Sequence, residues 1–466
     1  MALGDLIYGK TGKPIIQIVL LGFVCLCCPG MFNALNGLGA GGMMASDISL
    51  TNTANSVLYA CFAIVGFFAG SITNTLGVRG SLTIGTFGYA VYASSLWVYD
   101  AKKISGYVIA GGAILGCCAG ILWSAQGAIM MAYPEEKNKG KYVAIFWALF
   151  NIGGILGSII TLGLNLEGSS EAASGGVSSS TYTAFVVIMI VGIFSTLLLA
   201  PPTRVVRDDG TLVAVAKSAH WTHELKGVLR VWQDKRILAL CPAFLASNWF
   251  YAYQFHINAL CFDAPTRALN GTMYWSMQIL GSLLFGLLLD NQRMSRRMRA
   301  AVGCAILFVI FMAVWAGGFV FQLGFENDFD SPMHWTSPGF GGPFVLYLFY
   351  GFSDAIYQTF MYWLMGAMSN DPSLLSRYAG FYKAMQSAGA AISFGIDAAG
   401  VRLRWACLIC WLLVFISFPG MIYVCKVIPQ TNMLPNEENG VDAESDYKSD
   451  FRSDKEDMQE VEHVSR

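Results

Sequence analysis

The chain has 466 residues, 55% of them hydrophobic and only 13% charged, with a formal net charge of −1 and a mean hydropathy of +0.52. That much apolar surface cannot be hidden inside a water-soluble protein, so lipid has to act as solvent. No nucleic-acid partner is expected.

A helical crossing needs roughly 20 mostly apolar residues. Twelve such runs are predicted, near 15–38, 54–76, 81–99, 106–132, 142–165, 182–200, 237–262, 268–289, 299–323, 343–369, 377–400 and 405–427. The chain is therefore expected to be an all-α, multi-pass membrane protein. Ahead of the first run lies a short segment, 1–14, assigned to the cytosol. Within it GDLIYGKT (4–11) satisfies the pattern of a phosphate-binding loop. That loop needs a strand before it and a helix after it, whereas only three residues precede Gly4, and Gly12 and Pro14 interrupt any helix at its far end. Nucleotide binding is not expected. The first apolar run exceeds the 7 to 15 residues of a secretory signal and is succeeded by further runs, so it is read as a retained first helix.

The second run ends in GSITNTLGVR (70–79), and the outline returns as GLLLDNQRMSRR (286–297) at the end of the eighth. A small residue, three apolar or small ones, Asn or Asp, then bases, once in each half, marks a duplicated chain. A second pair agrees: KYVAIFWALFNIGG (141–154) aligns with RYAGFYKAMQSAGA (377–390) at a constant offset of 236, so that Tyr142 and Tyr378, Ala148 and Ala384, and Gly153 and Gly389 coincide. Two parallel halves of this kind are the plan of major facilitator transporters. The expected division is a bundle over 15–200, a cytosolic linker over 201–236, a second bundle over 237–427 and an acidic, disordered cytosolic tail over 428–466. In the linker, Leu225, Val228, Leu229 and Trp232 stand at i, i+3, i+4 and i+7, one apolar face of a helix lying on the membrane surface. The tail holds Ser445, Ser449 and Ser453 among acids and has too little apolar content to fold.

Lys and Arg concentrate in the even-numbered connections, around Arg79, Lys137 to Lys141, Arg204 to Arg236 and Arg293 to Arg299, with Lys10 and Lys13. By the excess of bases in cytoplasmic loops this side is the cytoplasm, with both termini on it. Lys102, Lys103, Arg267, Arg402 and Arg404 are exceptions on the opposite side. The membrane itself, plasma membrane or endomembrane, is not specified. The twelve Cys, many inside spans, are read as small hydrophobes, and neither disulfides, a metal nor a cofactor is expected.

The loop after the second run resembles the major facilitator signature, with Gly70, Asn74, Gly77 and Arg79 matching and Asn in place of the usual Asp. The second half keeps Gly286 and Asp290, with Arg296 and Arg297 further on. More specific strings, PGMFNALNGLGAGG (29–42), ASNWFYAYQFHINAL (246–260), TRALN (266–270), YGFSDAIYQTFMYWLMGAMSN (350–370) and RYAGFYKAMQSAGAAISF (377–394), are similar to the uncoordinated-93-like branch of that superfamily, especially its fungal members. The resemblance implies a twelve-helix, two-bundle transporter fold. It also implies two kinds of activity, transport as in the superfamily at large, or regulation of potassium channels and membrane-protein trafficking as in animal relatives. The signature residues of the two halves are implied to form a conformational latch, weakened here by the neutral Asn74.

Polar groups inside a membrane are costly and therefore usually functional. Asp354, in the middle of the tenth run, is the foremost candidate, with Tyr357 and Gln358 on its face. Lys383 on the eleventh run sits only about 9 Å from the cytoplasmic end at 1.5 Å per residue, so snorkelling is expected to outweigh pairing with Asp354. From the helices that line the cavity in the superfamily come Asn33, Asn36, Trp123, Gln126, Asn248 and Gln254, joined by Asn151 and Gln386. His256 and Asp397 are read as packed or interfacial, and the glycosylation pattern at Asn270 as hard to reach. The fourth span lacks the Arg, and the fifth the Pro, common in proton-coupled antiporters.

The chain is thus expected to be a secondary transporter of an ion or small organic solute, its partners being lipid and that solute. The alternative is a non-transporting regulator that binds an ion channel or a cargo membrane protein. No enzyme is expected, since no nucleophile–base or metal-ligand constellation is visible.

Overall fold

A computed structural model describes residues 12–133, 139–165, 176–206, 231–325, 329, 331–369 and 372–430. The phosphate-loop pattern at 4–11, the linker positions 207–230 with most of the amphipathic run, and the tail from 431 with its serines lie outside the described residues. Of the linker run, Trp232 is described and packs edge-on against Phe381, ring centroids 4.9 Å apart.

The described chain makes twelve helical crossings. α1 is Pro14–Gly37, α2 Ile48–Gly66, α3 Ala69–Lys102, α4 Ser105–Ala132, α5 Lys139–Asn165 and α6 Ser179–Ser195. α7 is made of two pieces, Lys235–Ala246 and Phe250–Cys261, and α8 is Ala264–Leu289, α9 Arg296–Gln322, α10 Gly341–Met368, α11 Pro372–Ala398 and α12 Leu403–Val427. Eight are long and apolar enough to cross a bilayer by composition alone. The other four, α3, α7, α10 and α11, are broken or carry polar groups in mid-span. Two irregularities have a local cause. Pro29 offers no N–H, and α1 widens around it into a π turn over Leu26–Gly30. In α3 the chain reverses its twist at Gly77, with φ 72° and ψ 162°, a conformation that costs glycine nothing.

The second crossing corrects the expected 54–76. It ends at Gly66, and the signature stretch instead begins a new helical piece at Ala69 that runs through the Gly77 kink into the third crossing. Thr51 and Asn52 fall outside the expected run, yet both are buried in α2, as is Asn55 within it. Thr51 donates to the Ile48 carbonyl one turn back, and Asn52 and Asn55 donate to Asp397 and Asn36 on other helices, so their polarity does not exclude them from the span.

Two apolar cores form, one from each half. The first gathers residues such as Phe32, Leu35, Tyr92 and Phe146, the second Phe311, Trp315, Tyr357 and Phe360. The duplication is visible in packing. A Cβ on Gly153 of α5 would collide with the Leu26 carbonyl of α1, and one on the coincident Gly389 of α11 would collide with the Leu245 carbonyl of α7. In each half the fifth helix thus presses its glycine against the backbone of the first. The halves meet along α2 with α11 and α5 with α8.

The face away from the chain termini is closed by hydrogen bonds between the halves. Arg267, fully buried at the start of α8, donates to the Leu38 carbonyl (2.6 Å), the Met43 carbonyl (3.0 Å) and the Gly39 carbonyl in the loop after α1. Asn258 Nδ2 donates to the Gly37 carbonyl at 2.8 Å, and Ser49 and Ser56 of α2 donate to the carbonyls of Ala398 and Ala391. The loop presents those carbonyls because Gly39, Ala40, Gly41 and Gly42 all take positive φ, turning the chain back on itself. Removing a guanidinium from water costs several kcal/mol, and only several well-formed bonds at roughly 1.5–3 kcal/mol each offset it.

Candidate functional site

Asp354 lies near the middle of the 28 residues of α10 and has no exposed surface. Four donors converge on it from three helices. Tyr251 of α7 (2.8 Å), Tyr274 of α8 (3.2 Å) and Gln278 of α8 (2.5 Å) donate to Oδ2, while Gln358, one turn along α10, donates to Oδ1 at 2.7 Å. A carboxylate in apolar surroundings holds its charge only when hydrogen bonds replace the lost water. The geometry supplies that replacement.

The network continues outward. The Gln386 amide nitrogen of α11 lies within hydrogen-bond distance of Asn248 (3.0 Å) and Ser247 (3.0 Å) in the break of α7 and of the Gln358 amide oxygen (3.3 Å), and its two N–H groups are shared among them. Lys383 Nζ donates to Gln386 Oε1 at 2.8 Å. Lys383 does not snorkel to the near end of its helix. Its amine turns inward toward Gln386 and lies over the rings of Trp123, Tyr362 and Tyr382 at 5.7, 5.8 and 5.6 Å. The expected depth is also corrected: α11 starts at Pro372, not Arg377, so Lys383 lies roughly 16 Å in and Asp354 roughly 21 Å in from that same face, at 1.5 Å per residue. A gap of about 5 Å in depth is what two glutamines bridge.

The other expected residues divide into groups. Gln254 joins the cluster through its Oε1, 3.0 Å from the Tyr274 hydroxyl, which shares its one proton between Gln254 and Asp354. Trp123 stacks on Trp147 and stands edge-on to Phe150, with Gln126 half-buried beside it on α4. Asn36, buried on α1, accepts from Asn55 at 3.3 Å, and Asn33 is half-buried one turn before it. Asn151 bonds back to the Trp147 carbonyl of its own helix. Tyr357 points away from the carboxylate, donating to the Ala243 carbonyl and near Ser417 of α12. Of the signature residues, Gly70, Asn74 and Gly77 fall on or beside the short piece opening α3, and Arg79 donates to the Leu199 carbonyl at 2.9 Å. Asp290, at the C-terminus of α8, is exposed, a few residues past Gly286. Arg296 and Arg297 donate to carbonyls of Ala367 and Ile428 at the ends of α10 and α12.

Several residues of the site carry no obvious mark in the sequence. Tyr251, Tyr274 and Gln278 form half of the carboxylate cluster, and Tyr274 and Gln278, four apart on α8, could have been found as a polar pair on one face of an apolar helix. His256 and Asp397 are not merely interfacial. His256 Nδ1 lies 2.8 Å from Asp397 Oδ2, and Asn52 of α2 donates to the same carboxylate, so α7, α11 and the other half meet at one point. Asn270, in the glycosylation pattern, is buried and donates to Asn258 at 3.0 Å.

Twelve crossings in two packed halves, with a carboxylate cluster at mid-depth, define a multi-pass membrane protein of major facilitator fold. Solved structures agree. The chain aligns over 90% of its length with 99% of the xylose transporter XylE from E. coli in a partially occluded inward open conformation, TM-score 0.61 at 13% identity. It aligns over 88% with 98% of the E. coli fucose:proton symporter FucP, TM-score 0.55 at 15% identity. Residues 52–423 match the family described as ion channel regulatory protein UNC-93. An UNC93-like protein of Schizosaccharomyces pombe is 43% identical over 86% of this chain and 80% of its own, and UNC93-like protein 1 of Arabidopsis thaliana is 41% identical over 89% and 90%. The chain belongs to the UNC-93 family.

Proposed function

We propose that the protein is a secondary transporter that moves an ion or small organic solute by alternating access. The carrying observation is the fully buried Asp354, held by four donors at mid-depth beside the seam between the halves. A non-transporting scaffold gains nothing from so costly a group in that place. The bases gathered on the face of the termini orient that face toward the cytoplasm, so the closed far face looks outward and the conformation is inward-facing. In the return stroke the far-face bonds break, and Arg79, Asp290, Arg296 and Arg297 with Asn74 then close the inner side as a latch.

The test is flux into liposomes for a panel of ions and solutes, comparing the wild type with Asp354→Asn. Transport of at least one solute, reduced about a hundredfold or more in the variant, is the expected result, a loss in line with removing a group that acts in the rate-limiting step. Absence of flux for every solute sinks the reading. The family description as ion channel regulatory proteins favours a second reading, a channel-binding regulator. Capture of native complexes separates the two, since a regulator retains a channel in fixed proportion and a transporter is recovered alone.

A further inference from the structure

Asp354 and Lys383 are both ionisable and share one network, but they present themselves differently. Asp354 is fully enclosed, with four donors around its two oxygens. Lys383 is half-buried, and among the described residues no carboxylate lies within ion-pair distance of it. Its acceptor is the uncharged Gln386 Oε1, which engages one of the three N–H groups of the ammonium.

Lys383 faces the opposite half. Its Nζ lies over Trp123 of α4 as well as over Tyr362 of α10 and Tyr382 of α11. Trp123 stacks on Trp147, ring centroids 6.4 Å apart, and Trp147 is in turn 6.4 Å from Tyr362. The rings of α4 and α5 thus stand against those of α10 and α11 across the seam. Trp123, Trp147, Tyr362 and Lys383 each keep part of their surface open, and they lie together where the two halves meet. Ring faces stabilise an ammonium but supply no counter-charge. The charge of Asp354 reaches this ammonium only across the intervening Gln386 and Gln358, so a directly paired anion would still be favourable at this depth.

We infer that the seam lined by Trp123, Trp147, Tyr362 and Lys383 binds an organic anion, a carboxylate carried on a flat apolar body. The carboxylate pairs with the Lys383 ammonium, and the body lies against Trp123, Trp147 and Tyr362. A cationic ligand is disfavoured twice, since Lys383 repels it and the enclosed Asp354 offers it no free oxygen. The binding site stands on this geometry, and its place in a transport cycle rests on the protein being a secondary transporter.

The experiment uses the full chain in lipid nanodiscs with three isosteric probes, benzoate, benzylamine and benzyl alcohol, tracking the thermal unfolding midpoint and quenching of tryptophan fluorescence. Benzoate is expected to bind with a Kd of about 10 mM or tighter, the scale set by nine heavy atoms at modest efficiency. The two other probes bind at least about tenfold more weakly, as does benzoate to Lys383→Gln, the loss from deleting one charge-assisted contact. Lys383→Arg keeps benzoate binding within about threefold, because the positive charge stays in place. Trp123→Phe leaves the ligand-free unfolding midpoint near that of the wild type and removes most of the quenching. The inference is overturned if benzoate does not bind, if benzylamine or benzyl alcohol binds equally well, or if Lys383→Gln binds benzoate as the wild type does. Should Lys383→Gln fail to fold, Lys383→Arg and Trp123→Phe carry the same decision. Anion binding without flux of any solute leaves the site and removes the transport reading. Flux of a solute that Asp354→Asn abolishes, with no anion bound, does the reverse.

Discussion

Arg267 of α8 reaches into the opposite half and donates from Nη1 to the Met43 carbonyl, 3.0 Å away in the loop after α1. With its bonds to Leu38 and Gly39, this makes one buried side chain the principal tie across the far face. Arg267→Gln removes the charge and strands carbonyls of the loop, a loss of about 2 kcal/mol or more for the closed state. Distances between spin labels placed on the far-face ends of α1 and α7 are expected to lengthen or broaden in the variant. An unchanged distribution refutes the role of Arg267 as the tie.

The carboxylate of Asp397 joins His256 of its own half to Asn52 of the other. A double-mutant cycle with Asn52→Ala and Asp397→Asn should therefore give a coupling energy of about 0.5–3 kcal/mol in far-face closure, as for residues in one hydrogen-bond network. Strict additivity of the two variants shows that the contact is idle.

Gly39 combines φ of +72° with a position where a Cβ would run into the Phe255 carbonyl of α7. Gly39→Ala is expected to cost about 1–3 kcal/mol, through backbone strain and collision together. The matched control is Gly341→Ala, whose Cβ meets nothing within 4 Å. Comparing their unfolding midpoints in detergent checks the claim, and equal midpoints refute it.

How much of the molecule is legible in the sequence depends on the kind of signal. Crossings with uniform apolar runs, such as those of α4, α9 and α12, announce themselves, because lipid exposure is a property of composition. The start of α2 does not, since Thr51 and Asn52 lie ahead of the apolar run although both are buried, and the partner of Asn52, Asp397, lies on another helix. The same logic divides the site. Asp354 is conspicuous as a charge within an apolar run, whereas Tyr251 and Tyr274 change hydropathy too little to stand out. Lys383 reads as lying too near the surface because Arg377 looks like a helix start, when α11 begins five residues earlier at Pro372. Arg267 is visible only as an exception to the charge rule. Its acceptors are backbone carbonyls 224 to 229 residues away, and backbone leaves no trace in composition.

At the start of α7, outside the crossing, Asp234 caps the helix and receives both Arg236 and Tyr378, the latter at 2.6 Å. Burial acts to raise its pKa, but the hydrogen bonds from Arg236 and Tyr378 prevail and hold the carboxyl down at about 2. A carboxyl lower in the folded than in the unfolded state, where about 3.9 is usual, stabilises the fold at higher pH and loses that effect as pH falls through the folded value. The difference in unfolding temperature between the wild type and Asp234→Asn should be full at neutral pH and shrink between about pH 4 and pH 2. A difference that stays constant over that window rules out the ionised carboxylate as its source.

The break in α7 at Ser247–Trp249 has a mechanical meaning. The piece beyond it, Phe250–Cys261, is a rigid rod of twelve residues that carries Tyr251 and Gln254 at one end and His256 and Asn258 toward the other. The first pair touches the carboxylate cluster and the second touches the far-face contacts. The fulcrum, Asn248, is held by Gln386, the residue that also receives Lys383. A rod with one end in the pocket and the other in the gate is a lever. A tilt of this piece would alter both sets of bonds at once.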